Sequence, residues 1–180
     1  SDSIRLIPAT YYKPPVLQGL VDDESDMAVL AEIEALTNRR LQAQEFGLGG
    51  LDARELTFGV FGKTHINAAF TYTRAEGNRF NGPQRGAWYC AFDDATAIAE
   101  VGYHRTRELS HIGEYDDEAI YQSLLAGFVG EFHDARPINP TPDYLGSDTD
   151  TAYPAGQALA GTLLMTGSSG LVYPSVRHKG

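Results

Sequence analysis

The chain of 180 residues is poor in cysteine and has no long apolar run. Its single cysteine, Cys90, excludes a disulfide within the chain and a zinc site built on cysteines. A reducing compartment suits such a chain. No apolar segment approaches the roughly 20 residues of a membrane helix. No signal peptide is visible at the start. We therefore expect a cytoplasmic protein that has no membrane partner.

The common nucleotide and metal motifs are missing too. The sequence contains no phosphate-binding loop, no dinucleotide glycine fingerprint, no HExxH and no GxSxG elbow. Its five histidines show no recognised metal-ligand spacing, so we expect no metal cofactor.

Basic residues are scarce as well. The chain has 14 Lys and Arg against 24 Asp and Glu, and its net charge is -10. This balance argues against binding nucleic acid or an anionic membrane. The few cations are concentrated: residues 62–92 carry four basic side chains and one acidic one, and residues 151–180 carry two basic side chains and no acidic one. These two basic segments are where an anionic substrate is expected.

Strands and helices mix without a strict βαβ alternation, which predicts an α+β fold. The predicted strands cover residues 68–73, 87–92 and 171–173. The predicted helices cover residues 95–108, 117–125 and 156–165, and a further one is indicated by apolar residues at helical spacing from Val29 to Leu36. Glu100 and His104 then lie on one helix face. Trp88 and Phe92 are assigned to the core.

Three sequence elements stand out when read together. They are GNRFNG at 77–82 followed by WYCA at 88–91, TAIAEV at 96–101, and YPAGQALA at 153–160 followed by GLVYPSVR at 170–177. In this order they resemble the RES-domain family, which is named for its Arg, Glu and Ser. Those letters fall on Arg79, Glu100 and Ser175, and the resemblance covers roughly residues 60–180.

The resemblance implies a fold similar to that of ADP-ribosyltransferase toxins, a small split β core with helices around it. It divides the chain into an N-terminal extension, residues 1–60, with one helix packed on the domain, and a RES domain at residues 61–180. Family members usually continue into a further strand past the serine motif. The domain is therefore expected to be shortened at its C-terminus.

The resemblance also implies chemistry on NAD+ as the substrate. Family members are toxins of bacterial toxin–antitoxin pairs, or effectors delivered into the cytoplasm of a target cell. They break the bond between nicotinamide and ribose and deplete NAD+, with phosphate, water or a protein side chain as the acceptor. The expected partners are NAD+, inorganic phosphate, and an antitoxin or immunity protein.

The residue types suit this chemistry. The planar fork of Arg79 matches pyrophosphate oxygens. A fixed Glu100 carboxylate would stabilise an oxocarbenium-like ribose, and the face of Tyr89 would support the leaving ring. Ser175 is interpreted as a positioning residue and not a nucleophile, because no base is recognisable beside it. The predicted catalytic residues are Glu100, Arg79 and Ser175, and the predicted substrate-binding residues are Arg79, Tyr89, Asn81, Ser175 and Arg177.

Each of these residues alone has an ordinary structural interpretation, as a surface arginine, a solvated helix residue, a packed tyrosine or a turn serine. Three functional alternatives also stay open. One is mono-ADP-ribosylation of a protein target, and another is a catalytically silent binding module of the same fold. The third is a glycosidase, in which Glu100 would pair with Glu131 or Asp134.

Overall fold

The computed structural model describes residues 2–12, 38, 40, 43 and 50–178. This part of the chain is α+β, as predicted. Its strands are β1 (Ser3–Pro8), β2 (Tyr121–Ala126), β3 (Phe132–Asp134) and β4 (Gly170–Val172), and its α-helices are α1 (Lys63–Thr71), α2 (Asp94–Ile112) and α3 (Thr149–Met165). The helix indicated between Val29 and Leu36 lies outside the described residues. Within these ranges no helix combines the length and the apolar character needed to cross a bilayer.

The chain divides into two compact units. Among the described residues, the first unit contains 2–12, Tyr89–Ala152 and 162–178. In it β1 pairs with β2 in antiparallel register, with Ser3 opposite Ala126, and packs against α2. The short strands β3 and β4 form a separate parallel pair in the same unit.

The second unit contains residues 38, 40, 43, 50–88 and Tyr153–Gly161 of the described chain. Its apolar core is formed by Ala43, Leu51 and Leu56, with Phe70 of α1 packed against them. The fully buried Asn67 ties α1 to the preceding segment. Its amide accepts from the backbone N–H of Thr57 at 2.9 Å and donates to the Thr57 carbonyl at 3.0 Å.

Truncation of Asn67 is expected to destabilise this unit. Asn67→Ala leaves the N–H and C=O of the half-buried Thr57 without their side-chain partner, which costs roughly 1–3 kcal/mol of unfolding free energy. The exposed Thr64 on the same helix gives the matched control, Thr64→Ala. Urea titrations of both variants measure the difference, and equal midpoints would contradict the structural role of Asn67.

Two segments have a different secondary structure from the one predicted. Residues 68–73 were predicted as a strand, but 68–71 belong to α1, because the helix begins five residues earlier, after Gly62 in the left-handed region (φ +76°). Residues 117–125 were predicted as a helix, but β2 occupies Tyr121–Ala126. Its partner β1 lies more than 100 residues away, so the pairing is invisible to local periodicity.

The predicted strand at 87–92 is also wrong. Only Ala91 pairs there, forming a single antiparallel bridge with Ile4. One bridge does not impose alternate burial on a whole segment. Phe92 is accordingly 60% exposed and is not a core residue, and Trp88 is half-buried.

The helix carrying Glu100 and the strand before Ser175 are confirmed. Helix α3 was predicted from residue 156, but it begins seven residues earlier at Thr149, with Pro154 inside its second turn. The Asp148 side chain caps this start, accepting from the Asp150 N–H at 3.2 Å and from the Thr151 hydroxyl at 2.7 Å. The cap explains why the helix begins before its proline.

Candidate functional site

Glu100 is positioned by helix α2. Asp93 caps the helix by accepting from the backbone N–H of Thr96 and from the Thr96 hydroxyl, both at 2.8 Å. These hydrogen bonds hold the pKa of Asp93 below its usual value, with a smaller contribution from His178. The helical repeat then places Thr96, Glu100 and Tyr103 along one face. Glu100 is half-buried on this face.

Ser175 contacts Glu100 directly. The Ser175 hydroxyl donates to Oε1 of Glu100 at 2.6 Å, across 75 residues of sequence. Its oxygen accepts from the backbone N–H groups of Arg177 at 3.1 Å and His178 at 2.9 Å. A serine hydroxyl has one proton and two lone pairs, so all of its hydrogen-bonding capacity is used. In this arrangement Ser175 directs its one proton at Glu100 and so fixes one oxygen of the carboxylate.

Arg177 follows Ser175 and covers the next turn of the same helix face. Its guanidinium lies 3.6 Å from the centroid of the Tyr103 ring, a close cation–π contact. It also donates to the Ser147 carbonyl at 3.4 Å. Within the described residues no carboxylate forms an ion pair with Arg177. The arrangement holds a half-buried positive charge one turn from Glu100.

Tyr89 belongs to the same unit and is held by β1. The Arg5 guanidinium donates to the Tyr89 carbonyl at 3.0 Å, and Ile4 and Ala91 exchange two backbone hydrogen bonds of 2.8 Å. Burial lowers the pKa of Arg5. Sequence reasoning missed Arg5, although a cation between Ile4 and Leu6 in an apolar strand was a visible signal.

The loop carrying Arg79 belongs to the second unit. Asn78 and Asn81 form a tight backbone bridge around Arg79 and Phe80, and Gly77 before it has a φ of +71°. The Asn81 amide donates to the carbonyls of Gly82 and Arg85, both at 3.0 Å. Asn81 therefore shapes the loop. Arg79 itself is only 8% exposed, and its guanidinium carbon lies 5.5 Å from the centroid of the Tyr153 ring.

The middle of α3 packs against this loop within the same unit. Gln157 donates to the carbonyls of Glu76 and Asn78 at 3.0 Å each. Gly156 approaches the Arg79 carbonyl so closely that a Cβ at this position would collide with it. Two of the sequence elements, GNRFNG at 77–82 and YPAGQALA at 153–160, thus pack against each other.

The predicted site residues consequently divide between the two units. The first unit brings Glu100, Ser175 and Arg177 into one cluster and contains Tyr89, and the second unit contains Arg79 and Asn81. His104, on the face of α2 next to Glu100, has its ring edge-on to Tyr103 at 5.4 Å between centroids.

Asp134 and Glu131, the carboxylates that a glycosidase would pair with Glu100, are poorly suited to that role. Both oxygens of Asp134 accept from Arg136, at 2.9 and 2.6 Å, and these hydrogen bonds lower the pKa of Asp134 to about 2. Glu131 is exposed. In the part of the chain that the structure describes, no group of three or more His, Cys, Asp or Glu side chains is arranged to hold a metal ion.

Comparison with known proteins gives one family. The sequence model of the RES domain matches residues 57–180, about two thirds of the chain. No curated protein matches the chain significantly. The match includes every predicted site residue, and it excludes β1 with Arg5.

Proposed function

The chain belongs to the RES-domain family, and on this premise we propose that it cleaves NAD+ between nicotinamide and ribose, with phosphate or water as the acceptor. The observation that carries the proposal is the 2.6 Å hydrogen bond from Ser175 to Glu100. It joins two of the three residues for which the family is named. The biological role proposed with it is that of a toxin that lowers NAD+ in a bacterial cytoplasm or in a target cell.

The chemistry needs a fixed negative charge beside the ribose. Loss of nicotinamide leaves positive charge on the anomeric carbon and ring oxygen, as in glycoside hydrolysis. A carboxylate already oriented there stabilises this charge without reorganising during the reaction. In our proposal Glu100 supplies the carboxylate, and Ser175 holds one of its oxygens so that the other faces the ribose. Nicotinamide leaves as a neutral ring, so the site needs no strong general acid.

The pyrophosphate of NAD+ needs positive charge, and two arginines are candidates. Arg177 shares a unit with Glu100, and its guanidinium lies over the Tyr103 ring, where its N–H groups are proposed to bind phosphate oxygens. Arg79 is buried beside Tyr153 in the second unit, and we keep a phosphate-binding role for it as part of the proposal. Tyr89 is proposed to support the nicotinamide ring, and Asn81 to keep the Arg79 loop in shape.

Incubation with NAD+ tests the function directly. The purified protein is mixed with NAD+ in buffers with and without inorganic phosphate, and nicotinamide release is followed with mass identification of the second product. ADP-ribose 1-phosphate is expected from phosphate as the acceptor, and ADP-ribose from water. Boiled protein is the control.

The outcomes separate the alternatives. Transfer of label from NAD+ onto protein would assign mono-ADP-ribosylation instead. Absence of nicotinamide under every condition would refute the proposal and leave the silent binding module. The proposal also includes a protein partner, an antitoxin or immunity protein, that covers the Glu100 cluster. Such a partner would suppress the release when added in stoichiometric amount.

A further inference from the structure

His178 is a histidine that the proposed mechanism leaves without a role, and its ring is tied to the start of helix α2. Its Nδ1 lies 3.0 Å from the hydroxyl oxygen of Thr96. The same hydroxyl lies 2.8 Å from Oδ2 of Asp93. The Thr96 hydroxyl therefore forms two hydrogen bonds, one with the Asp93 carboxylate and one with the His178 ring.

The chemistry of the three groups fixes the direction of both hydrogen bonds. The lowered pKa of Asp93 keeps this carboxylate ionised at neutral pH, so it accepts and cannot donate. The Thr96 proton must then point to Asp93. The remaining lone pairs of the Thr96 oxygen face His178, and so Nδ1 carries the proton and donates. His178 is held with its proton on Nδ1.

The backbone of His178 reaches Glu100 by a second route. Its N–H donates to the Ser175 oxygen at 2.9 Å, and Ser175 donates to Glu100 at 2.6 Å. Thr96 and Glu100 lie one helical turn apart on α2, so the turn 175–178 is attached to this helix face at both ends. The ring contact of His178 anchors one end, and the hydroxyl of Ser175 occupies the other.

We propose that His178 is a positioning residue for Glu100: its ring, anchored on Thr96, holds the turn that aims the Ser175 hydroxyl at the carboxylate. His178 does not touch the substrate in this role. The effect expected on kcat rests on the proposed function. The effect expected on the orientation of the Glu100 carboxylate rests on the contacts alone. Loosening the anchor would let the carboxylate rotate without removing any group that reacts.

Two pairs of variants test the proposal. The amide nitrogen of Asn reaches the position of Nδ1, whereas that of Gln reaches the position of Nε2, so His178→Asn keeps the anchor and His178→Gln loses it. On the other side Thr96→Ser keeps the hydroxyl and Thr96→Val removes it. We expect kcat to fall about 10-fold or more in His178→Gln and Thr96→Val, with KM nearly unchanged. His178→Asn and Thr96→Ser should stay within about 3-fold of the original protein by the same reasoning.

The double variant Thr96→Val/His178→Gln should be no worse than Thr96→Val alone, because Thr96→Val already removes the contact with His178, together with the hydrogen bond to Asp93. Additive losses would overturn the proposal, and so would equal losses in His178→Asn and His178→Gln.

A measurement independent of activity separates this inference from the proposed function. The 13C chemical shift of the Glu100 carboxyl is expected to change in His178→Gln and to stay unchanged in His178→Asn. If the original protein releases no nicotinamide, the proposed function fails while this shift still decides the positioning role. An unchanged shift in both variants would overturn the inference even in a fully active enzyme.

Discussion

Glu100→Gln is expected to lower the rate of nicotinamide release from NAD+ by about 100- to 1,000-fold. The substitution keeps the shape of the side chain and an oxygen that can accept from Ser175. It removes only the negative charge that would stabilise the ribose cation. The loss should appear in kcat more than in KM, because the charge acts on a cation that forms after the substrate has bound.

The matched control is Glu108→Gln on the same helix. Glu108 lies two turns further along, is exposed and forms an ion pair with Arg105 at 3.8 Å. It should retain nearly full activity, and both variants should unfold at the temperature of the original protein. A Glu100→Gln variant that works as well as Glu108→Gln would remove Glu100 from the mechanism.

Gly156→Ala is expected to cause the largest loss of stability. The added methyl group would meet the carbonyl oxygen of Arg79 and the ring of Phe80, and the oxygen belongs to backbone that cannot rotate away. Overpacking of this kind costs about 3 kcal/mol. Since 1 kcal/mol corresponds to about 2–4 °C for a chain of this size, Tm should fall by roughly 6–12 °C.

Gly161 on the same helix provides the control, because a Cβ there would meet no atom within 4 Å. Gly161→Ala should raise stability by up to about 1 kcal/mol, since alanine favours the helix over glycine. Thermal unfolding of both variants by circular dichroism makes the comparison. Similar Tm values would mean that α3 does not pack on the Arg79 loop as the structure has it.

The features that local sequence predicted best are those that local interactions decide. Helix α2 has a capping aspartate, Asp93, and a regular pattern after it, so its start and the position of Glu100 followed from neighbouring residues. The contact of Glu100 with Ser175 is different. The two residues are 75 positions apart, and only the resemblance to a family suggested that they act together.

The sequence did not reveal the contacts of two residues, Asn81 and Arg5, for different reasons. Asn81 was interpreted as a substrate-binding residue, a role that stays a prediction, and its amide is occupied with two carbonyls of its own loop. Arg5 was given no role from the sequence. Its relation to Tyr89 depends on a bridge between Ile4 and Ala91, which no periodicity in either segment reveals.

The pairing of β1 with β2 has a consequence for how the protein is made. The Ser3 hydroxyl donates to the carbonyl of Ala126, 123 residues later, so the first strand leaves the ribosome long before its partner exists. At about 5–20 residues per second, this interval lasts roughly 6–25 seconds. During that time β1 has no partner strand. The matched RES segment alone, which lacks β1, would leave β2 without its partner strand.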